Sequence, residues 1–389
     1  MNSKKYIFIV QVTRQLSIDI LNNFINEGAE IELVTGILEP NYASLDPRIK
    51  VKYFNRYDNT STFKRMLTWS LFTFYSFFFI LVRSRKKELI LITTPPFIVF
   101  LGLFFKKIRN QNYHLIVWDL YPDVLVNFGV LKKGSFALRI WQKLNRSCFS
   151  KASTIYTLGT HLSDAIQKYT SKKPIIVPNW VNADFVKPVN RLDNTFSNEH
   201  GLSDKLVVMY SGNLGLTHDI ESIVYTANLL KSNTAIQFVI IGDGAKKAKI
   251  EAYVKSEQLS NVLLLPYQNK ETLPFSLTAA DIGIVTLSQG AETISVPSKT
   301  YYTLAAGSAI FALAAEASEL GFLVNKYNCG RVFDNSPPEK IAEFILHLFE
   351  HRNELEQFKI NARAASLDFT PKNAKLYYDY ICNKLNKDV

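Results

Sequence analysis

Cysteine is scarce in this 389-residue chain: Cys148, Cys329 and Cys382 stand far apart. Such spacing excludes a disulfide framework and a zinc-finger pattern, and it suits a reducing compartment. The six histidines are scattered without ligand spacing, so no metal centre is expected. Long apolar runs are also missing. A membrane-spanning helix needs about 20 apolar residues. Met66–Val82 and Leu89–Phe105 each offer 17 uncharged residues, and Pro95-Pro96 breaks the second into strand, break and helix. The opening Met1-Asn-Ser-Lys-Lys runs directly into Tyr6–Val10, without the apolar region or cleavage site of an export signal. With 47% hydrophobic and 20% charged residues, whole-chain disorder is excluded.

Acidic residues are few in the first half. Met1–Trp180 holds 25 basic and 11 acidic residues, a net of +14, while the remainder holds 20 and 23, a net of −3. A half so charged suits nucleic acid, an anionic membrane or phosphorylated substrates. No nucleic-acid recognition motif is present, so nucleic acid is not expected as a partner. Met66–Val82 is rich in aromatics and bracketed by Lys64, Arg65, Arg83, Arg85, Lys86 and Lys87. Aromatic residues with basic flanks suit a helix lying among lipid headgroups. Phe77, Phe78, Phe79, Arg83, Arg85, Lys86 and Lys87 are therefore expected to face an anionic membrane surface. The competing reading is a buried core helix.

Short apolar, β-branched runs alternate with longer amphipathic segments along most of the chain. Tyr6–Val12, Glu30–Val34, Leu89–Thr93, His114–Trp118, Thr154–Leu158 and Pro174–Val177 are strand candidates, with helical patterns at Leu16–Asn26 and Phe136–Phe149. Near-continuous apolar strands between helices mean a parallel sheet covered on both faces. The pattern stops over the polar segment 183–205, read as a linker. It restarts with Val207–Tyr210, Ile236–Ile241, Val262–Leu265, Ile282–Val285 and Ala309–Leu313. The expected fold is α/β: two doubly wound domains, residues 1–182 and 206–368, with a C-terminal helix in 369–389. Ligands of such sheets gather at the carboxyl ends of strands, so a cleft between the domains is the expected active site.

Three loops in the second half carry chemistry. Ser211-Gly212-Asn213-Leu214-Gly215 follows a strand, and a helix expected near His218 would offer its N-terminus to an anion. Gly242-Asp243-Gly244 follows the next strand; alone it also fits an ordinary strand-to-helix turn. Gln289–Glu292 leads to Val296-Pro297-Ser298-Lys299, where Ser298 is expected to cap the helix. Lys299 in the first turn opposes the helix dipole. A shared anion such as a diphosphate explains a cation there.

Ser211–Glu221, Gly242–Gly244, Leu265-Pro266-Tyr267-Gln268 with Leu273-Pro274, Ala280-Asp281 and Val296–Gly307 occur in that order. Together with Val117–Asp123 and Val177–Asn182 upstream, they resemble the retaining glycosyltransferases of family 4, with the GT-B fold. The nearest likeness is to fucosyl or N-acetyl-fucosaminyl transferases of O-antigen and colanic-acid clusters. The resemblance implies a UDP- or GDP-linked sugar donor, with no other cofactor. Gly212, Asn213, Ser298 and Lys299 would hold its diphosphate, with Leu214, Gly215, His218 and Pro297 also at the donor and Tyr302 at the place of a ribose contact. Gly242, Asp243 and Gly244 would line the nucleotide site, and Tyr267 and Gln268 would meet the base. Glu292 would lie near the donor sugar, making Glu292, Lys299 and Asp119 the catalytic candidates. Departures are visible: Asn213 and His218 replace the cations that the family commonly carries, and Tyr302 stands where a second Glu is common. The glycine-rich loop usual after the first strand is replaced by Val12-Thr13-Arg14-Gln15. The implied activity is sugar transfer to a lipid-diphosphate-linked saccharide, in the cytoplasm and peripherally on the inner membrane face. An inactive subunit supporting another transferase, or a sugar-nucleotide epimerase, are the alternatives.

Overall fold

The computed structural model describes residues 3–58, 60–127, 129–216, 218–287 and 297–382. It divides into two units: Met1–Asn179 with Pro371–Val389, and Trp180–Glu292 with Val296–Thr370. Each unit is built on one parallel sheet with helices around it, so the architecture is α/β with two Rossmann-like domains.

The large sheet of the first unit is made of β1 (Lys5–Ile9), β2 (Glu30–Thr35), β3 (Lys50–Tyr53), β4 (Glu88–Ile92), β5 (Tyr113–Val117), β6 (Thr154–Thr157) and β7 (Ile175–Ile176), and Val12–Thr13 pairs separately with Ile37–Leu38. Their order is β3-β2-β1-β4-β5-β6-β7. Ile7 of β1 lies between Glu32 on one side and Leu89 on the other. The inner strands are almost wholly buried, which is why their sequences are continuous apolar runs. Edge strand β3 reads KVKY and is mostly exposed, so no apolar run announces it. The main helices are α1 (Gln15–Asn26), α2 (Thr62–Leu81), α3 (Ile98–Arg109) and α4 (Phe136–Lys151).

Phe24 of α1 meets Tyr6, Phe8 and Tyr378 edge-on, with centroids 5.2, 5.0 and 5.0 Å away. Edge-to-face pairs contribute about 0.5–1.5 kcal/mol each beyond burial. Tyr378 belongs to the C-terminal helix Ala374–Ile381, where the carbonyl of Tyr377 accepts from the Tyr156 hydroxyl at 2.7 Å. The end of the chain thus completes the first core.

Met66–Val82 forms most of helix α2 and its C-cap, and the helix is buried on one side only. Trp69, Phe72, Ser76 and Ile80 are buried on one stripe, whereas Phe74 (56%) and Phe78 (48%) are exposed. Ser61 caps the helix by accepting from the Lys64 amide. No helix among the described residues is long and apolar enough to cross a membrane.

The second unit has β8 (Leu206–Ser211), β9 (Ile236–Ile241), β10 (Val262–Leu265), β11 (Ile282–Thr286), β12 (Ala309–Leu313) and β13 (Gly330–Val332). They run in the order β10-β9-β8-β11-β12-β13. Helices α5 (Glu221–Leu229), α6 (Lys247–Ser256), α7 (Lys299–Ala306) and α8 (Arg352–Ala365) matter below. Segment 183–205 is structured: it contains the short helix Thr195–Glu199, and Phe196 and Leu202 join a cluster with Val207, Met209, Val239 and Ile241. Arg191 from the same segment donates to the carboxylate of Asp281 at 2.8 Å.

Candidate functional site

Strand order in the second sheet reverses between β8 and β11. Ligands of open parallel sheets lie past the carboxyl ends of strands at such a switch point. Two turns leave the sheet there and lock together. The Gly212 amide donates to the Ile241 carbonyl at 2.9 Å, the Leu214 amide to Asp243 at 2.8 Å, and the Lys246 amide to Leu214 at 2.9 Å. This closeness requires glycine. A Cβ on Gly242 would lie 1.9 Å from the Gly212 carbonyl oxygen, and one on Gly244 would lie 2.5 Å from the Leu214 carbonyl carbon.

Helix α7 aims its first turn at the same place. Lys299 donates from Nζ to the Tyr210 hydroxyl at 2.8 Å and stands 4.0 Å above the centre of that ring. A Cβ built on Gly212 would be 3.2 Å from Lys299 Nζ, so the cation sits beside the turn. Burial pushes the Lys299 ammonium down to about 7, and among the described residues no carboxylate pairs with it to offset the lost hydration. Tyr210 is fully buried and donates to the Asn213 carbonyl at 2.8 Å, tying strand end, turn and lysine together. Sequence reading treated Tyr210 as the last apolar residue of a strand; no spacing signal separates it from a core tyrosine.

His218 shares a hydrogen bond with Thr286 through Nδ1 at 3.0 Å. Burial, then Lys299 and Lys246, push its imidazole down to about 4, so it is neutral at pH 7. Lys246 donates to the His218 carbonyl at 2.6 Å and to Glu221 at 2.7 Å. The helix expected near His218 instead begins at Glu221, which pairs with both Lys246 and Lys249. An acid in the first turn satisfies the helix dipole locally. Ser298 does not cap α7 with its side chain: it already has helical backbone angles. The Leu214 side chain faces the core, leaving its backbone for the turn. Tyr267 is largely exposed, with its hydroxyl 3.5 Å from the Asp243 carbonyl, and Gln268 bonds the Pro266 carbonyl at 2.9 Å. Beneath them a cavity of about 170 Å³ is lined by Leu214, Gly242, Glu251, Leu264 and Pro266. Pro297 and Tyr302 flank Ser298 and Lys299 at the start of α7, both half-buried. Glu292 lies outside the described residues.

Asp119 belongs to the first unit, just past β5. Its backbone carbonyl accepts from the Thr93 hydroxyl at 3.0 Å, and burial raises its carboxyl above the usual range. Tyr57 and Tyr121 stand close enough for its charge to raise their phenols, behind the larger effect of burial.

The expected membrane-facing set is only partly outward. Phe77 packs on Phe104 and Phe105, at 5.2 and 5.4 Å, and Phe79 on Phe54 at 6.1 Å, because the helix turns those positions toward its neighbours. Arg83 and Lys87 both pair with Glu32, at 3.1 and 2.9 Å. Phe78, Arg85 and Lys86 are exposed. The larger outward set was missed: Phe63, Met66, Leu67, Leu71 and Phe74 of α2 and its first turn, joined by Phe104 and Ile108 of α3 and by Phe136, Ile140 and Leu144 of α4.

Known proteins bear on the second unit first. Residues 193–365 match the family described as glycosyl transferases group 1. This group 1 segment contains β8–β13 and α5–α7 with both glycine turns and Lys299. The chain is similar to the probable glycosyltransferase WbjE of Pseudomonas aeruginosa, 29% identical over 275 residues, covering 69% of this chain and 68% of that one. It is also similar to the putative colanic acid biosynthesis glycosyl transferase WcaI of Escherichia coli K12, 27% identical with 69% and 67% covered. The fold is that of sucrose-phosphate synthase from Thermosynechococcus elongatus, with a TM-score of 0.75 at 13% identity and 98% of each chain covered. HepE of Anabaena, solved with UDP and glucose, superposes with a TM-score of 0.71 at 12% identity, covering 98% of this chain and all of that one. These are GT-B folds.

Proposed function

We propose that this chain is a glycosyltransferase that takes a sugar from a nucleotide diphosphate and passes it to a saccharide on a lipid diphosphate, in surface-polysaccharide synthesis. One observation carries the reading: Lys299, at the start of α7, is held by Tyr210 beside the interlocked Gly212 and Gly242 turns. Sugar transfer from such a donor breaks the bond between the anomeric carbon and a phosphate oxygen, and negative charge grows on the departing diphosphate. A cation, turn amides and a helix N-terminus placed there stabilise that charge in the transition state. The cavity under Gly242 suits the base of UDP or GDP, and the family resemblance makes Glu292 the candidate for the donor sugar. Transfer with retention is the form the family resemblance supports.

The first unit supplies the membrane side of the proposal. Exposed Phe63, Phe74, Phe78, Phe104 and Phe136 lie on α2, α3 and α4, whose surfaces also carry Lys64, Lys107, Arg139 and Lys143. Apolar rings mixed with cations suit an anionic lipid surface on the cytoplasmic face.

A second reading is favoured by one feature. The two positions where the resembled family commonly carries cations hold Asn213 and a neutral His218, and the Lys246 ammonium beside the turn is paired with Glu221. An inactive subunit would tolerate that loss. Mass spectrometry of the purified protein with a panel of UDP- and GDP-sugars and a lipid-diphosphate saccharide separates the two. Sugar added to the acceptor supports the transferase; nucleotide binding without turnover across the panel supports the inactive subunit. Lys299→Ala is expected to weaken UDP or GDP binding about 10- to 150-fold, from roughly 1.5–3 kcal/mol for a hydrogen bond to a charged group.

A further inference from the structure

Tyr210 combines three contacts that packing alone does not require. Its hydroxyl accepts from Lys299 Nζ at 2.8 Å and donates to the Asn213 carbonyl at 2.8 Å, and its ring lies 4.0 Å beneath the ammonium. A phenylalanine would fill nearly the same buried volume without either hydrogen bond. Because the hydroxyl joins the lysine to the turn, it fixes where Nζ stands relative to the Gly212 and Asn213 backbone. Long lysine side chains otherwise lose up to about 2 kcal/mol of rotamer freedom when a ligand immobilises them.

We propose that Tyr210 is a positioning residue that stations Lys299 for the diphosphate of a nucleotide, and that nucleotide binding draws a proton from solvent onto Lys299. The inference rests on the reading of this turn as the donor site. The groups around the lysine fix the sign. Tyr210 comes from β8, neutral His218 from the following loop and Thr286 from β11, while Lys246 at the start of α6 adds a like charge on His218. Tyr267, after β10, faces Tyr210. Among the described residues no carboxylate forms an ion pair with Lys299, and burial holds its ammonium near 7. At pH 7–8 the lysine is therefore a mixture of charged and neutral forms. A bound diphosphate supplies the missing opposite charge and favours the charged form. The cation–π contact does the same more weakly.

Calorimetric titration of the full chain with UDP and with GDP, between pH 7 and 9 and in buffers of different ionisation enthalpy, tests this. Between about pH 7.5 and 8.5 the terminal phosphate, with a second pKa of about 6, is ionised and the bases keep their ring N–H protons, so uptake in that narrower window reports the protein. Wild type is expected to take up a proton and to lose affinity with rising pH, approaching tenfold per unit. Lys299→Ala should abolish the uptake. Tyr210→Phe keeps the ring and should weaken binding about tenfold. The double variant should bind no more weakly than Lys299→Ala alone, because Tyr210 acts through the lysine. Unchanged binding in Tyr210→Phe, or losses that add in the double variant, would overturn the positioning role while leaving the donor site standing. Wild-type binding in Lys299→Ala, or no binding of either nucleotide by wild type, would overturn the donor site and the inference with it. A thermal melt of each variant identifies any that is misfolded, and the proton uptake of Tyr210→Phe is read independently of its stability.

Discussion

The first unit shows Phe63, Phe74, Phe78, Phe104 and Phe136 to solvent on three neighbouring helices, whereas the exposed large apolar residues of the second unit, such as Leu192, Leu216, Tyr267 and Leu367, are scattered over separate elements. Both units share a parallel sheet and a paired carboxylate near the amino ends of its strands, half-buried in the first and buried in the second. In the first, Glu88 meets His114 at 3.0 Å; in the second, Asp281 meets Arg191 at 2.8 Å and Lys359 at 3.4 Å. One architecture thus carries two different surfaces: a basic one with exposed aromatic rings, and one with two interlocked glycine turns beside Lys299. The charge difference, +14 against −3, follows the same division.

The comparison can be broken at its largest expected effect by changing Phe63, Phe74 and Phe78 together to Ser. Full burial of one Phe contributes about 1.5–3 kcal/mol. If each ring enters lipid half-way, partition onto anionic vesicles should fall roughly 45- to 2,000-fold, with an unchanged melting temperature. Sedimentation with vesicles at low and high salt checks it. Wild type should bind more weakly in salt without being released, since burial of rings is not screened. A variant that unfolds would return these residues to the core.

Asp281→Ala probes the second unit. It leaves Arg191 and Lys359 without their shared partner and the Val207 amide without its acceptor. Breaking such a buried pair costs about 3 kcal/mol, which a denaturant titration should show.

The first unit's equivalent answers to pH. The hydrogen bond from His114 holds the Glu88 carboxyl down at about 2 despite its burial. A folded-state value below the unfolded one contributes stability above about 4.5, and that stability is lost as pH falls toward 2. The contribution is on the order of 1–3 kcal/mol, given its partial exposure. Glu88→Gln should flatten the dependence of unfolding free energy on pH across that window; an unaltered slope would remove the pair from the acid response.

Much of this was legible in the sequence for a physical reason. Strands buried on both faces write themselves as apolar runs, and Ile236–Ile241 and Ala309–Leu313 stand where those runs predict. Edge strands Lys50–Tyr53 and Gly330–Val332 bury little and leave no such mark. Lys299 stood out because a cation opposes the helix dipole, while its partner Tyr210 looked like any core residue. A run of aromatics has no periodicity from which to read a face; the fold shows that of Phe77, Phe78 and Phe79 only Phe78 is fully outward, and that Phe74 is outward with it.

Hydrogen exchange of the full chain with and without UDP, and again with GDP, tests the central claim that the nucleotide sits at the carboxyl ends of β8 and β9 and the start of α7. Slowed exchange is predicted in residues 211–216, 242–247 and 297–306 with at least one of the two nucleotides, and it should be lost in Lys299→Ala. Protection confined to the first unit, or none anywhere at saturating nucleotide, would contradict the account.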